Sequence, residues 1–263
     1  MTIAKTVRYP SDLTDEQWNL IRPVLPLKQN RGRPTIDRRM IINAIFYVLK
    51  GGIQWRMLPD SFPKWKTVYH VFRKWATDGT WEGIHDQLRT QVRAQVGKRS
   101  RPTAAILDSQ SVKSNCHGGD VGYDAGKKIK GRKRHILVDT LGMLLGVFIT
   151  PASTPEREGA QGLLDRILHK LPWLKLIWVD GGYSGEAFAN WVRFKKPCLE
   201  VEVVKRDENA KGFNILKRRW IVERTFGWFM HQRRLVRDYE YSESSAKAWI
   251  YIAMLRIQLR RLA

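Results

Sequence analysis

From residue 104 onwards the sequence alternates between short apolar runs and amphipathic segments, and this alternation constrains the fold more than any other feature. The runs "AAILD", "HILVDTLG" and "MLLGVFITPA" precede the amphipathic stretch "STPEREGAQGLLDRILHKLP". Then come "LKLIWVD", "EAFANWVRFKK" and "LEVEVVKR", and long helices are predicted from about residue 213. Short apolar runs bounded by turn residues predict strands, whereas helical periodicity predicts helices. The predicted order β-β-β-α-β-α-β-α gives an α/β fold, a mixed sheet with flanking helices.

The charge of the chain predicts the kind of partner it binds. There are 47 Lys and Arg against 25 Asp and Glu, a formal net charge of +22, which favours a polyanion. No stretch approaches the roughly 18 apolar residues of a membrane-spanning helix, so nucleic acid is favoured over a membrane. The start, "MTIAKTVRYPSDL", lacks the apolar core of a signal peptide, so we expect a cytoplasmic, nucleoid-associated protein. Cys116 and Cys198 have no metal-ligand spacing and are predicted to be free thiols.

The first part of the chain is predicted to be all helical. Thr14 and Gln17 match a capping box at the start of "TDEQWNLIRPVLP", and "KTVYHVFRKWATDG" has apolar residues on one helical face and basic residues on much of the remainder. We therefore predict a helix-turn-helix-like DNA-binding domain over residues 1–95, a basic linker over 96–103 and an α/β domain over 104–263. A small bundle with a solvated basic face fits the helical pattern about equally well.

Three acids stand in settings that suggest chemistry. Asp108 ends the first predicted strand and Asp180 ends the fourth. If these strands are neighbours, their ends bring both carboxylates into one crevice, where open α/β sheets bind ligands. Glu223 is the only acid in the basic and apolar segment "KRRWIVERTFGWF". An ion pair with Arg219, four residues earlier, is the simple explanation for Glu223, and it does not exclude a catalytic role.

Clustered carboxylates in a basic protein suit divalent metals, because Mg²⁺ and Mn²⁺ prefer oxygen ligands and need anionic charge to hold them. Two such ions can flank a phosphate and stabilise both the attacking and the leaving oxygen. We therefore predict two Mg²⁺ or Mn²⁺ ions, with Asp108, Asp180 and Glu223 as both the metal ligands and the catalytic residues.

Several segments closely resemble the motifs of bacterial insertion-sequence transposases of the IS-five family: "LDSQSVK", "GYDAGKKIKGRKRHILVDTLG", "VDGGYSG" and "RRWIVERTFGWFMHQRRLVRDYE". The resemblance covers nearly the whole chain, including "LTDEQWNLIRPVLP", and implies a ribonuclease H-like fold for the α/β domain. It places Asp108, Asp180 and Glu223 on the family's DDE metal ligands. Arg219 falls on the family's arginine four residues before the glutamate.

The resemblance also implies a function. The protein would be a DNA transposase that binds the terminal inverted repeats of an insertion sequence, hydrolyses a strand at each end to free a 3′-hydroxyl and joins it to target DNA. Because two ends must be joined in one complex, at least a homodimer is expected. A structure-specific nuclease of the same fold, or a transposase-derived repressor that only binds DNA, stays open as an alternative.

Two basic segments, from Gly97 to Arg134 and from Lys211 to Arg237, flank the predicted crevice and would neutralise DNA phosphates. The chain departs from the family at Leu216 and Met230, where the family commonly has an aromatic and a basic residue. The residues predicted to contact DNA are Lys66, Arg73, Lys74, Lys113, Lys127, Lys128, Lys130, Arg132, Lys133, Arg134, Arg219, Arg233 and Arg234.

Other acids have simpler explanations. Asp139 lies between two apolar runs with a glycine nearby, the usual composition of a hairpin turn. Glu156 and Glu158 lie in the first turn of a predicted helix, where acids compensate the helix dipole. Asp120 and Asp124 lie in a glycine-rich segment that is predicted to be a flexible loop.

Overall fold

The computed structural model describes residues 9–26, 36–115, 120–204 and 218–263. Its strands form a mixed sheet with flanking helices, which confirms the predicted α/β class. The strands are β1 Ala104–Lys113, β2 Gly122–Asp124, β3 Ile129–Asp139, β4 Leu144–Pro151, β5 Leu176–Val179 and β6 Glu200–Val203. The helices are α1 Asp15–Ile21, α2 Arg38–Gly51, α3 Trp65–Thr77, α4 Thr80–Gln95, α5 Glu156–Ile167, α6 Glu186–Lys195, α7 Trp220–Met230, α8 Arg233–Val236 and α9 Glu243–Leu262. None of the helices in these ranges has the length and hydropathy needed to span a bilayer.

The sheet is built around β1. Strand order is β2-β3-β1-β5-β6, and β4 also pairs with β3. β1 is antiparallel to β3 and parallel to β5, so the first and fourth predicted strands are neighbours, as the crevice hypothesis requires. Residues on β1 alternate between the two faces: Ile106 joins one apolar cluster, whereas Ala105 and Leu107 join the other. Both faces of the central strand are therefore buried, and its backbone is held on both edges.

Two details of the strand prediction were wrong. Asp108 does not end β1, because β1 continues to Lys113 and stays paired with β3 over that length. The segment predicted to be a flexible glycine-rich loop contains β2 and the first part of β3, with Asp124 as the last residue of β2. Gly131 allows this close pairing, since a Cβ there would overlap the carbonyl oxygen of Val112.

Two local predictions are confirmed. Thr14 caps α1 in a capping box with Gln17, in which each side chain accepts a hydrogen bond from the other residue's backbone N–H. Asp139 does form the turn between β3 and β4: its Oδ1 accepts hydrogen bonds from the N–H groups of Leu141 and Met143, each at 2.9 Å. The Asp139 side chain is fully buried and also pairs with Arg93 of α4.

α9 is buried on almost every side and packs against the helices that precede the sheet. The Trp249 ring lies 4.5 Å from the Phe72 ring and 5.5 Å from the Trp55 ring. Near the other end of the helix, the Arg256 guanidinium donates to the carbonyl oxygen of Ser11 at 3.0 Å. One apolar cluster runs from Leu13 through α9 to one face of the sheet. The residues before 96 and after 103 share this cluster. The predicted domain boundary at residues 96–103 therefore stays a prediction about which region binds DNA and which carries the acids.

Replacing Trp249 by alanine should destabilise the whole protein, because it removes a fully buried indole that joins α9 to Phe72 and Trp55. A large-to-small change of this kind costs about 3–5 kcal/mol in the free energy of unfolding. Urea denaturation followed by circular dichroism measures it. Arg260→Ala, on an exposed position of the same helix, is the control and should change stability by less than about 0.5 kcal/mol. Equal effects of the two substitutions would contradict the shared core.

Candidate active site

The two aspartates meet because of the register between β1 and β5. Ile106 pairs with Trp178 at the end of their parallel ladder, and Asp108 and Asp180 each lie two residues further along the chain. The backbone orients both side chains: Asp108 Oδ1 accepts from the N–H of Ser109 at 2.7 Å, and Asp180 Oδ1 accepts from the N–H of Gly182 at 2.9 Å. Asp108 and Asp180 therefore lie at the same height with respect to two neighbouring parallel strands.

The third acid comes from α7. This helix begins at Trp220, and Val222 and Phe229 are buried against the rest of the protein. Glu223 lies in its first turn, with a side chain that is 58% exposed. Arg219 occupies the N-cap position, directly before the helix. The apolar face of α7 thus anchors the helix while its first turn presents Glu223 and Arg219 to the strands.

One guanidinium nitrogen joins the three acids. Arg219 Nη2 lies 3.4 Å from Asp108 Oδ2, 3.4 Å from Asp180 Oδ2 and 3.7 Å from Glu223 Oε1. The two aspartate oxygens are therefore no further apart than twice 3.4 Å. The ion pair between Arg219 and Glu223 that the sequence suggested is present, and it belongs to a larger cluster.

The cluster carries an excess of negative charge. The pKa of Asp108 is raised to about 6: burial is the largest cause, the charges of Asp180 and Glu156 act in the same direction, and the Ser109 N–H and Arg219 oppose them. A pKa raised in spite of a neighbouring guanidinium indicates a carboxyl group that is costly to ionise. The negative charge of the three carboxylates therefore exceeds the positive charge that Arg219 supplies.

The residues present fit a hard divalent cation by type and by charge. All three donors are carboxylates, which Mg²⁺ and Mn²⁺ prefer, and the single guanidinium of Arg219 does not balance three carboxylate charges. Within the described ranges, no three Asp, Glu, His or Cys side chains are close enough to hold a metal ion together. Arg219 explains this spacing, because its guanidinium lies among the carboxylates. Cation binding to all three would require Arg219 to withdraw.

A fourth carboxylate, for which the sequence predicts only a structural role, lies at the same site. Glu156 Oε1 accepts from Ser109 Oγ at 3.1 Å and pairs with Lys127 Nζ at 3.0 Å. The dipole explanation applied equally to Glu156 and Glu158, since both are in the first turn of α5. Only the packing of α5 beside β1 distinguishes them, and no local sequence signal reports it.

Five of the basic residues predicted to contact DNA are instead bonded within the protein. Arg132, Lys133, Arg134 and Arg234 are buried, and Arg73 is half-buried. Three of them donate to backbone carbonyl oxygens: Arg132 to Glu240 and Tyr241, Lys133 to Thr154, and Arg134 to Leu235. Arg234 donates to the Glu240 carboxylate. Arg73 donates to the hydroxyl groups of Ser242 and Ser245. A buried, hydrogen-bonded cation cannot reach a phosphate without breaking these bonds, so we leave these five out of the proposed DNA interface.

The other predicted contacts are placed where DNA can reach them. Arg219 is partly exposed within the acid cluster. Lys66, Lys74, Lys113, Lys127, Lys128, Lys130 and Arg233 are exposed. Cys198 is exposed and free, as predicted, whereas Cys116 and Leu216 lie outside the described residues.

Comparison with known protein families now identifies the class. A family profile described as a transposase DDE domain matches residues 99–257, and one described as a putative transposase of the IS4/5 family matches residues 13–85. The first match covers more than half of the chain. The protein therefore belongs to the DDE transposases of insertion sequences.

One of the individual relatives is named as a transposase. The chain is 31% identical over 112 residues to a putative transposase for insertion sequence element IS402 from Burkholderia cepacia, which is 40% of this chain and 52% of that protein. It is 31% identical over 117 residues to an insertion element IS402 uncharacterized 16.2 kDa protein from the same organism, 42% of this chain and 78% of that protein. Uncharacterized protein y4sN of Sinorhizobium fredii (strain NBRC 101917 / NGR234) is 25% identical over 107 residues, 40% of this chain and 78% of that protein.

Metal-free Asp108→Asn protein should be more stable than the wild type at pH 8. The folded-state pKa of Asp108 is raised to about 6, so its contribution to stability is fully present below the unfolded pKa of about 3.9 and is lost as the pH rises through 6. Asparagine never ionises, so the variant's advantage should grow from near zero at pH 4 to about 2–3 kcal/mol at pH 8. Urea unfolding in EDTA across this range tests it, and a difference that does not change with pH would contradict it.

Proposed function

We propose that the protein binds the terminal inverted repeats of an insertion sequence, cleaves the DNA there to free 3′-hydroxyls and transfers them to target DNA. The observation that carries this proposal is the convergence of Asp108, Asp180 and Glu223 on one guanidinium nitrogen. Three separate elements deliver these carboxylates, and Arg219 alone does not balance their charge. Membership of the DDE transposase family supports the same function.

Asp108, Asp180 and Glu223 would hold two divalent cations, Mg²⁺ or Mn²⁺. Such a pair activates the attacking oxygen at a phosphodiester and stabilises the leaving oxygen. Before cations and DNA bind, Arg219 offsets the repulsion among the three acids and keeps them together. Its planar guanidinium suits a DNA phosphate, so Arg219 is the residue we expect to pass from the carboxylates to the substrate.

Exposed lysines around the crevice would hold the DNA backbone. Lys127, Lys128 and Lys130 lie on and beside the turn between β2 and β3, and all three are exposed. Lys127 Nζ already reaches the edge of the acid site through Glu156. A phosphate entering the crevice would thus meet lysines before it meets the carboxylates.

The helices before residue 96 would bind the ends of the element. Lys66, His70 and Lys74 are spaced four residues apart on α3 and are exposed, so they share one face of that helix. The buried face is anchored by Val68 and Phe72. We therefore propose α3 as the element that enters a DNA groove, within a DNA-binding region over residues 1–95. At least two such chains would assemble near the nucleoid, because two ends of the element must be joined in one complex.

End cleavage and joining should require the two aspartates. In Mg²⁺, the wild type should cleave DNA that carries the flanking inverted repeats and join the 3′-ends to target DNA. Asp108→Asn and Asp180→Asn should each reduce the rate by about 100-fold or more, because each removes an anionic metal ligand. Gel analysis of labelled ends measures both steps. Asp165→Asn, an exposed acid paired with Lys195, is the control and should retain full activity.

The same assay separates the alternatives. Cleavage without joining would favour a structure-specific nuclease. Specific binding without cleavage by the wild type would favour a repressor. Full activity of Asp180→Asn would contradict the proposed role of the carboxylates.

The exposed lysines should contribute to the salt dependence of DNA binding. Lys128→Gln with Lys130→Gln should flatten the slope of log K against log salt by about 0.9 for each DNA phosphate that is no longer neutralised. Fluorescence anisotropy at several salt concentrations measures the slope. Lys195→Ala, at an exposed position of α6, should leave the slope unchanged. An unchanged slope in the double variant would place the DNA elsewhere.

A further inference from the structure

Glu156 contacts Ser109, the residue after Asp108, and borders Gly182, two residues after Asp180. We infer that Glu156 is a fourth carboxylate of the metal site and holds one divalent cation together with Asp108 and Asp180. This inference rests on the proposed function and adds a ligand to it. As for the triad, these described acids are not close enough to hold a metal together while Arg219 contacts Asp108 and Asp180, so cation binding would require Arg219 to withdraw and the carboxylates to close. The sequence motifs assign no role to Glu156 beyond the first turn of a helix.

The first support is the contact with the β1 side. Ser109 bonds both carboxylates at once: its N–H donates to Asp108 Oδ1 at 2.7 Å, and its hydroxyl donates to Glu156 Oε1 at 3.1 Å. A single residue therefore fixes the two acids side by side.

The second support is the contact with the β5 side. A Cβ placed on Gly182 would lie 2.9 Å from Glu156 Oε2 and 3.0 Å from Asp180 Oδ1. Because Gly182 has no side chain, these two oxygens border the same small space. Arg157 ties the helix to this loop as well, because its Nε donates to the Gly182 carbonyl oxygen at 3.0 Å.

The third support is a buried hydroxyl group beside the acids. The Tyr183 side chain is 1% exposed, and its hydroxyl makes no hydrogen bond of good geometry with the described residues. The hydroxyl is close enough to Asp108, Glu156 and Ser109 to interact with all three. Buried hydroxyls are rarely left without a partner. A water molecule on a cation held by these acids would supply one.

Lys127 pairs with Glu156, as Arg219 pairs with the other three acids. Lys127 Nζ is 3.0 Å from Glu156 Oε1, and 44% of the Lys127 side chain is exposed. An exposed ion pair is weak, so Lys127 can leave Glu156 for a DNA phosphate at little cost. Cation binding and DNA binding would then favour each other at this position.

Manganese binding to the DNA-free protein tests the inference. Isothermal titration calorimetry with Mn²⁺ should show about tenfold or greater loss of affinity at one site in Glu156→Gln. Glu158→Gln is the matched control: it removes the same charge from the same helical turn and should bind Mn²⁺ as the wild type does. Glu156→Asp keeps a carboxylate and should bind better than Glu156→Gln. Circular dichroism confirms that each variant is folded.

Two results would overturn the inference. One is wild-type Mn²⁺ binding by Glu156→Gln, and the other is an equal loss in Glu156→Gln and Glu158→Gln, which would reflect helix charge alone. Either result leaves the proposed function intact if Asp108→Asn still loses both Mn²⁺ and end cleavage. If the wild type cleaves no ends at all, the proposed function fails, whatever Glu156 does.

Discussion

Carboxylates that are brought together out of water repel one another, and the acidic end of this sheet depends on how that repulsion is balanced. Arg219 contacts all three predicted metal ligands through one nitrogen atom, and Lys127 pairs with the neighbouring Glu156. Arg219 lies directly before α7, and Lys127 lies in the turn between β2 and β3. Each basic side chain can therefore move without disrupting the sheet. The fold therefore keeps an anionic site assembled before substrate arrives, using side chains that also suit DNA phosphate.

The rest of the site is fixed by backbone pairing. β1 is held on both edges, by β3 and by β5, and its register places Asp108 level with Asp180. A shift of one residue would turn Asp108 to the other face of the sheet, because side chains alternate along a strand. Such a shift would destabilise the fold, because it would also remove Leu107 from the apolar cluster in which it is buried. Hydrophobic alternation thus positions a charged group that contributes nothing to the core itself.

Sequence reasoning recovered the parts of this site that local patterns encode. Apolar runs that end in an acid located Asp108 and Asp180, and a solitary acid in a basic helix located Glu223. The same reasoning failed where burial is decided by distant segments. Arg132 and Arg134 looked like DNA contacts because a basic run usually faces solvent, yet the segment around residues 235 to 241 covers them and accepts their hydrogen bonds. Glu156 was passed over for the converse reason, since its local helix position already explained an acid.

The position of α9 in the chain has a consequence for synthesis. α9 fills the centre of the cluster that α1 to α4 also line, and it leaves the ribosome after all of them. The early helices emerge with apolar faces that have no partner until α9 arrives, so they cannot reach their final packing before α9 has been synthesised. If α1 to α4 bind DNA as proposed, they would do so only after translation has passed Glu223, the last of the three clustered acids along the chain. The proposed DNA binding and catalysis would thus become available together.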